Sequence, residues 1–197
     1  MPDPLPLVYL ARHGETAWSL SGQHTSVTDL PLTPKGERDA GRLGTRLRGV
    51  PFARTFTSPL LRARSTCEFA GWADAVTDDD LHEWRYGDFE GQTSKEIGRT
   101  NPGWQLFRDG APGGESVAEV SARADRFVVR LRDDPRPTLV VSSGHFLRVL
   151  AARWLRGDPA FGRYLYLSTA AVCTLGYDHG LDEPRLRLWN DTGHVGE

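Results

Sequence analysis

The chain has 197 residues, of which 39% are hydrophobic and 25% charged, a composition typical of one folded domain and not of a disordered or fibrous protein. Its 24 basic and 26 acidic residues leave a net charge of -2, so no global basic field exists to bind nucleic acid or an anionic membrane. We therefore expect a single domain over residues 1–197, with neither nucleic acid nor a membrane as its partner.

The cysteines and the N-terminus are those expected of a cytoplasmic protein. Cys67 and Cys173 lie far apart in the sequence and form no metal-binding pattern, so we expect neither a disulfide framework nor a zinc site. The apolar run at residues 7–11 is too short to span a membrane and has no basic residue before it. Trp72 and Trp154 suit either the core or a subunit contact, which leaves a homodimer open.

The first predicted elements are a strand and an amphipathic helix. Residues 7–11, LVYLA, are apolar and β-prone without alternation, which is typical of a strand covered on both faces. Thr33 and Pro34 suit the N-cap and the first position of a helix, and Ala40 and Leu43 belong to an apolar stripe at helical spacing. This stripe predicts a helix that packs against the sheet with its arginines outward.

A second strand and helix are predicted next. Residues 54–57 are short and β-prone, and Ser58 and Pro59 then suit the N-cap and the first position of a helix with an apolar stripe over residues 60–70. Arg62 would lie near the first turn of this helix.

Residues 78–114 follow no regular pattern. Aromatic side chains occur here among glycines, prolines and acids, which favours a long ordered excursion over a site. Ser116 and Glu119 then form a capping box that predicts the start of a helix, with an apolar face over residues 117–131.

The last third of the chain predicts three strands and a buried helix. A strand at residues 138–142 precedes a segment, 146–154, that is apolar almost all round, and residues 171–177 and 185–189 favour two late strands. Strands alternating with helices predict an α/β three-layer sandwich with a largely parallel central sheet. Ligand sites of such sheets lie at the carboxyl ends of the strands.

Three of the predicted strands end in polar residues that suit a phosphate site. The first ends at Arg12, His13 and Gly14, the second is followed by Arg62, and the strand at 138–142 continues into SSGH. Two guanidinium groups match the oxygens of a phosphoryl group, and a neutral imidazole beside them is a competent nucleophile toward phosphorus. Spacing alone leaves the alternative that the Arg-His pair is a surface feature.

The motifs taken together resemble those of the histidine phosphatase superfamily, whose fold is that of the cofactor-dependent phosphoglycerate mutases. They are RHGET (12–16), SGQHT (21–25), SPLLRARST (58–66), LHEWRYGDFEG (81–91), GGES (113–116) and SSGHFLR (142–148). The resemblance covers most of the chain and is strongest to the sedoheptulose-bisphosphatase-like and actinobacterial acid phosphatase branch. It implies a phosphatase of small phosphate monoesters, sugar phosphates included, that needs no metal and no cofactor.

The resemblance also implies roles for individual residues. His13 would be phosphorylated during catalysis, and Arg12 and Arg62 would bind the transferred phosphoryl group. Glu83 would protonate the leaving alkoxide and then deprotonate the attacking water. The remaining positions implied for the phosphate and substrate pocket are Ser19, Gln23, Thr25, Tyr86, Ser143 and Gly144.

The residues after the glutamate motif favour hydrolysis over isomerisation. In the phosphoglycerate mutases that this chain resembles, a lysine follows soon after that motif, and an insertion carries a pair of arginines. Here residues 92–94, QTS, stand where the lysine is expected, and only Lys95 lies close by. A mutase-type phosphoryl transferase stays as the alternative.

Ser143 stands where the family carries a second histidine, immediately before the glycine. Three explanations are open: a natural substitution whose hydroxyl still donates to phosphate, an introduced change that slows turnover, and a pseudoenzyme that binds a phosphate ligand. We favour a phosphatase with reduced activity. The side chain of His145, past the glycine, is expected to point elsewhere, and His24 and His179 are expected to be surface or packing residues.

Overall fold

The computed structural model describes residues 5–196, and within them one six-stranded sheet lies between two groups of helices. The strands are β1 (Val8–Arg12), β2 (Arg54–Thr57), β3 (Val76–Thr77), β4 (Thr138–Ser142), β5 (Val172–Tyr177) and β6 (Pro184–Asp191). The helices are α1 (Ala17–Ser21), α2 (Pro34–Arg46), α3 (Leu61–Ala70), α4 (Ser94–Thr100), α5 (Leu106–Asp109), α6 (Val117–Arg132) and α7 (Gly144–Trp154). Short 3-10 helices cover Asp79–Leu81, Gly87–Phe89 and Pro159–Tyr164.

The sheet is mostly parallel, which confirms the predicted α/β class. Its strand order is β3-β2-β4-β1-β5-β6; β1 to β4 are parallel, and β5 pairs antiparallel with both β1 and β6. Arg12 pairs with Ser142, and Thr57 pairs with Val141. Since these strands run in one direction and end in register, the residues that follow them meet at one edge of the sheet.

Each face of the sheet has its own apolar core. Leu139 of β4 packs with Leu43 of α2 and with Cys67 of α3 on one face. Val140, the next residue, belongs to the core that Phe127 of α6 forms on the other face. Successive side chains of a strand point to opposite faces, so a strand covered on both sides must be apolar without alternation.

One predicted helix start is wrong. The structure begins α3 at Leu61, with Leu60 as the N-cap, and not at Ser58 and Pro59. The backbone N–H of Ser58 donates to the carbonyl oxygen of Val141 at 3.0 Å, so the chain is still extended beside β4 at that point. The sheet therefore delays the helix by two residues, and Arg62 still lies in its first turn.

Residues 78–114 contain more regular structure than the sequence indicated. They form two 3-10 helices and the helices α4 and α5. Thr93 and Glu96 make a reciprocal capping box at the start of α4, which is the same signal that correctly predicted α6 from Ser116. Among the described residues, no helix combines the length and the apolar character that crossing a membrane requires.

Candidate active site

His13 follows β1 directly and is 5% exposed. Its Nδ1 lies 2.8 Å from the carbonyl oxygen of Gly14. A carbonyl oxygen only accepts, so Nδ1 carries the proton, and Nε2 of the neutral ring keeps its lone pair. Gly14 is required here because a Cβ on it would lie 2.6 Å from the carbonyl oxygen of Gly36 in α2.

The surroundings of His13 keep its ring neutral. Burial lowers its pKa well below the usual 6.5, and the charges of Arg62 and Arg12 lower it further. A neutral imidazole with a fixed tautomer and a free Nε2 is a nucleophile ready at neutral pH.

Arg12 and Arg62 are both held by backbone carbonyl oxygens. Nη1 of Arg12 donates to Leu167 at 2.7 Å. Arg62 is fully enclosed and donates to the carbonyl oxygens of Thr25, Ser26 and Thr28 at 3.0 to 3.2 Å. Within residues 5–196 neither guanidinium donates a hydrogen bond to a carboxylate, and two guanidinium groups fixed in this way are suited to bind an anion.

Three enclosed polar atoms near His13 lack a hydrogen-bond partner within residues 5–196. They are Nε of Arg12, Nε of Arg62 and Oγ of Ser143. Enclosed donors without a partner cost free energy, and they commonly mark a place where a ligand completes the hydrogen bonds. All three can donate to the oxygens of a phosphoryl group.

Ser143 is free because another side chain caps its helix. It is the N-cap residue of α7 and would normally accept a hydrogen bond from the amide of Phe146. That amide instead donates to Oε1 of Glu83 at 2.7 Å, and the amide of His145 donates to Oε2 at 3.0 Å. The hydroxyl of Ser143 is thereby released from capping.

Glu83 is held at the positive end of α7. Besides the two helix amides, the N–H of Trp84 donates to Oε1 at 2.8 Å, and the side chain is 5% exposed. A carboxyl group at a helix N-terminus accepts the amide hydrogens that the first turn of the helix leaves unpaired. The carboxylate lines the same cavity as His13, within reach of a group bound there.

Arg123 and Glu115 hold the segment that carries Glu83. Arg123 donates to the carbonyl oxygens of Asp80, His82 and Glu83, and also to both carboxylate oxygens of Glu115. Glu115 in turn accepts from the N–H of Arg85 at 2.9 Å. Arg123 is 7% exposed, so this ion pair is partly shielded from water and fixes residues 80–85 against α6.

The structure corrects the expectation for His145. Its side chain does not point away; it lines the cavity with His13, and Nδ1 lies 2.6 Å from the hydroxyl oxygen of Tyr86. His24 is buried, as expected of a packing residue, and it also lines the cavity. Its ring lies edge-on to Tyr86, with centroids 4.7 Å apart.

The cavity contains most of the predicted pocket residues, but not all. The wall includes Arg12, His13, Ser19, Gln23, Thr25, Glu83, Tyr86 and Gly144. Arg62 and Ser143 are buried and are not part of this wall. The polar groups of Ser19 and Gln23 already bond to the backbone oxygens of Thr16 and Gly91, so they shape the wall.

Arg148 and Tyr166 are wall residues that the sequence analysis did not identify. Arg148 lies four residues after Gly144, one turn along α7, so helical spacing was a usable signal for it. It donates to the carbonyl oxygens of Gly162 and Arg163, and its guanidinium lies 4.6 Å from the ring centroid of Phe107. No comparable signal marks Tyr166.

Within residues 5–196, one group of side chains has the spacing of metal ligands: Asp178, His179 and Glu183. They are on the exposed connection between β5 and β6, where Arg185 pairs with both carboxylates at 3.3 and 3.4 Å. These residues are not part of the cavity wall around His13.

Comparison with known proteins places this arrangement in a family. The family model described as histidine phosphatase superfamily (branch 1) matches residues 8–192. An acid phosphatase of Mycobacterium tuberculosis is 36% identical over 189 residues, which cover 94% of this chain and 92% of that protein. A sedoheptulose 1,7-bisphosphatase of Saccharomyces cerevisiae is also 36% identical, over 78% of this chain and 69% of that protein.

A solved structure supports the same grouping. The structure of an open reading frame of M. tuberculosis superposes with a TM-score of 0.90 at 36% identity, over 96% of this chain and 99% of that one. The sequence-based assignment to this branch is therefore confirmed.

Proposed function

Since this chain belongs to the histidine phosphatase superfamily (branch 1), we propose that it hydrolyses small phosphate monoesters through a phosphohistidine at His13. The observation that carries the proposal is a buried neutral imidazole, with Nε2 free, beside three enclosed donors that lack a partner within the described residues. The names of the relatives, acid phosphatase and sedoheptulose 1,7-bisphosphatase, support it.

In the first step, Nε2 of His13 attacks phosphorus, so a P–N bond forms while the P–O bond to the leaving alcohol breaks. Arg12, Arg62 and Ser143 donate to the phosphoryl oxygens, whose charge they neutralise in the transition state. Glu83, in its protonated form, gives its proton to the leaving oxygen, which departs as an alcohol.

In the second step, water attacks the phosphorus of phosphohistidine. Glu83, now a carboxylate, takes a proton from this water as the P–O bond forms and the P–N bond breaks. Phosphate leaves, His13 returns to the neutral ring, and Glu83 is again protonated.

Ser143 affects the expected rate of hydrolysis and the choice between a phosphatase, a pseudoenzyme and a mutase. One missing donor at such a site costs about 10²–10³ in rate, which still leaves measurable turnover. A pseudoenzyme would bind phosphate and not turn over, and a mutase would return the phosphoryl group to its substrate. We favour hydrolysis because residues 92–94 do not supply the basic group that a second substrate phosphate needs.

The proposal is tested with an aryl phosphate as substrate. We expect phosphate release by the chain as given and its loss in His13→Ala, with an alkali-stable phosphohistidine detected at residue 13 by mass spectrometry. His179→Ala is the control, since His179 is exposed and lies outside the cavity wall. Ligand binding without phosphate release or phosphohistidine would establish the pseudoenzyme and reject the proposal.

A further inference from the structure

Two histidines in the cavity take no part in the proposed chemistry. The rings of His24 and His145 are parallel within 1°, with centroids 5.9 Å apart, and both line the cavity that holds His13. One nitrogen of each ring is bound to the protein, and the other is accessible. The accessible nitrogens can therefore contact whatever part of the substrate lies beyond the phosphoryl group.

His24 offers a hydrogen-bond acceptor. Its Nδ1 lies 2.8 Å from the carbonyl oxygen of Gln92, and because that oxygen can only accept, Nδ1 carries the proton. In the neutral ring Nε2 is then an acceptor. Within residues 5–196 this Nε2 has no hydrogen-bond partner, and it is not an enclosed atom. It can be satisfied only by a ligand or solvent group that donates.

His145 offers a second ring nitrogen next to it. Its Nδ1 lies 2.6 Å from the hydroxyl oxygen of Tyr86, and either group can donate in this hydrogen bond. Burial and the charge of Arg148 lower the pKa of His145 well below 6.5, so its ring is neutral. Nε2 of the neutral ring takes the role opposite to that of Nδ1, and a ligand hydroxyl group pairs with it in either tautomer.

The charges in the cavity decide which chemical group fits this pair. A carboxylate or a second phosphate dianion cannot donate to His24. An ammonium group can donate, but the guanidinium groups of Arg12 and Arg148 in the wall repel it, and the carboxyl group of Glu83 is already bonded to three backbone amides. A hydroxyl group is neutral, and it both donates and accepts.

We propose that His24 and His145 bind hydroxyl groups of the leaving alcohol, so that the site prefers phosphate esters of polyhydroxylated alcohols over esters of simple alcohols. The inference rests on the proposed phosphatase function and adds the class of leaving group. A hydrogen bond to a neutral partner is worth about 0.5–1.5 kcal/mol, and the two together give a preference of about tenfold or more.

The test uses two three-carbon esters that differ only in their hydroxyl groups, glycerol 3-phosphate and n-propyl phosphate. We expect kcat/KM to favour glycerol 3-phosphate by about tenfold or more. His24→Phe and His145→Phe keep a planar ring and remove the nitrogens, and each should lower this ratio toward one. A ratio is unaffected by a uniform loss of activity, so partial damage to the site does not imitate the result.

Controls separate the inference from the proposed function. His179→Phe, outside the cavity, should keep the ratio, and His24→Gln, whose amide oxygen still accepts, should retain part of it even if the phenylalanine variants fold poorly. Any of three results would overturn the inference and leave the phosphatase function standing. They are a ratio near one in the unsubstituted chain, an unchanged ratio in both phenylalanine variants, and faster hydrolysis of O-phosphoethanolamine than of glycerol 3-phosphate. Hydrolysis of none of the esters would reject the phosphatase function, and the inference with it.

Discussion

Ser143 is buried, and its hydroxyl neither caps its helix nor bonds to any other described residue. An imidazole there would add a longer and stronger donor toward the phosphoryl oxygens. We predict that Ser143→His raises kcat for an aryl phosphate by about 10²–10³. Initial rates at saturating substrate measure this.

The matched variant is Ser143→Ala, which removes the remaining hydroxyl and should lower kcat below that of the chain as given. If Ser143→His gives no increase while its thermal unfolding is unchanged, the missing donor is not what sets the rate.

His13 and His145 make stability depend on pH. Burial lowers the pKa of both below 6.5 in the folded chain, so between that lowered value and 6.5 the unfolded chain binds more protons. The free energy of unfolding is therefore fully retained above about pH 7.5 and falls as the pH drops below 6.5. Each histidine contributes a slope of at most about 1.4 kcal/mol per pH unit.

Urea denaturation at pH 7.5 and at pH 5.5 measures this change. His145→Phe removes one of the two titrating groups and should show a smaller loss of stability between the two pH values. An equal loss in both proteins would show that His145 is not held neutral by its burial.

At the scale of elements, α6 supports the site through Arg123. Its guanidinium donates to the carbonyl oxygens of Asp80, His82 and Glu83 and to the carboxylate of Glu115, so Arg123 is a positioning residue for Glu83. Removing one partner of a shielded ion pair leaves the other charge without compensation, which costs about 3–5 kcal/mol. We predict that Arg123→Ala lowers both stability and kcat, with little change in KM.

Arg123→Lys restores the charge but not the fork of donors, so it should recover part of kcat. The measurement is kcat per folded molecule at a temperature where each variant is folded by circular dichroism. A rise in KM with kcat unchanged would mean that Arg123 supports substrate binding and not Glu83.

Capping residues in the sequence predict a helix boundary correctly where pairing in the sheet does not move that boundary. Thr33 and Ser116 cap their helices as the pattern indicated, because the capping hydrogen bonds lie within a few residues of sequence. Ser58 fails because pairing with β4 keeps it extended, and that contact joins residues far apart in the chain. The two-residue strand β3 has too few side chains to form a pattern at all.

At the scale of the whole molecule, the site is built where distant segments meet. The sequence located His13 and Arg62 from strand ends and family motifs, since parallel strands that end together bring their following residues to one edge. It could not orient His145, because that direction depends on the phase of α7 and on the hydroxyl of Tyr86, 59 residues earlier in the chain.

The carboxylate of Glu83 has a second consequence for the molecule as a whole. The same two oxygens that would carry the proton also accept the amides of His145 and Phe146, so they are the cap of α7. Under the proposed mechanism this carboxyl group takes up a proton in each turnover, so one oxygen becomes a poorer acceptor and the start of α7 is held less firmly. The proposed proton transfer and the capping of α7 therefore depend on the same two oxygens.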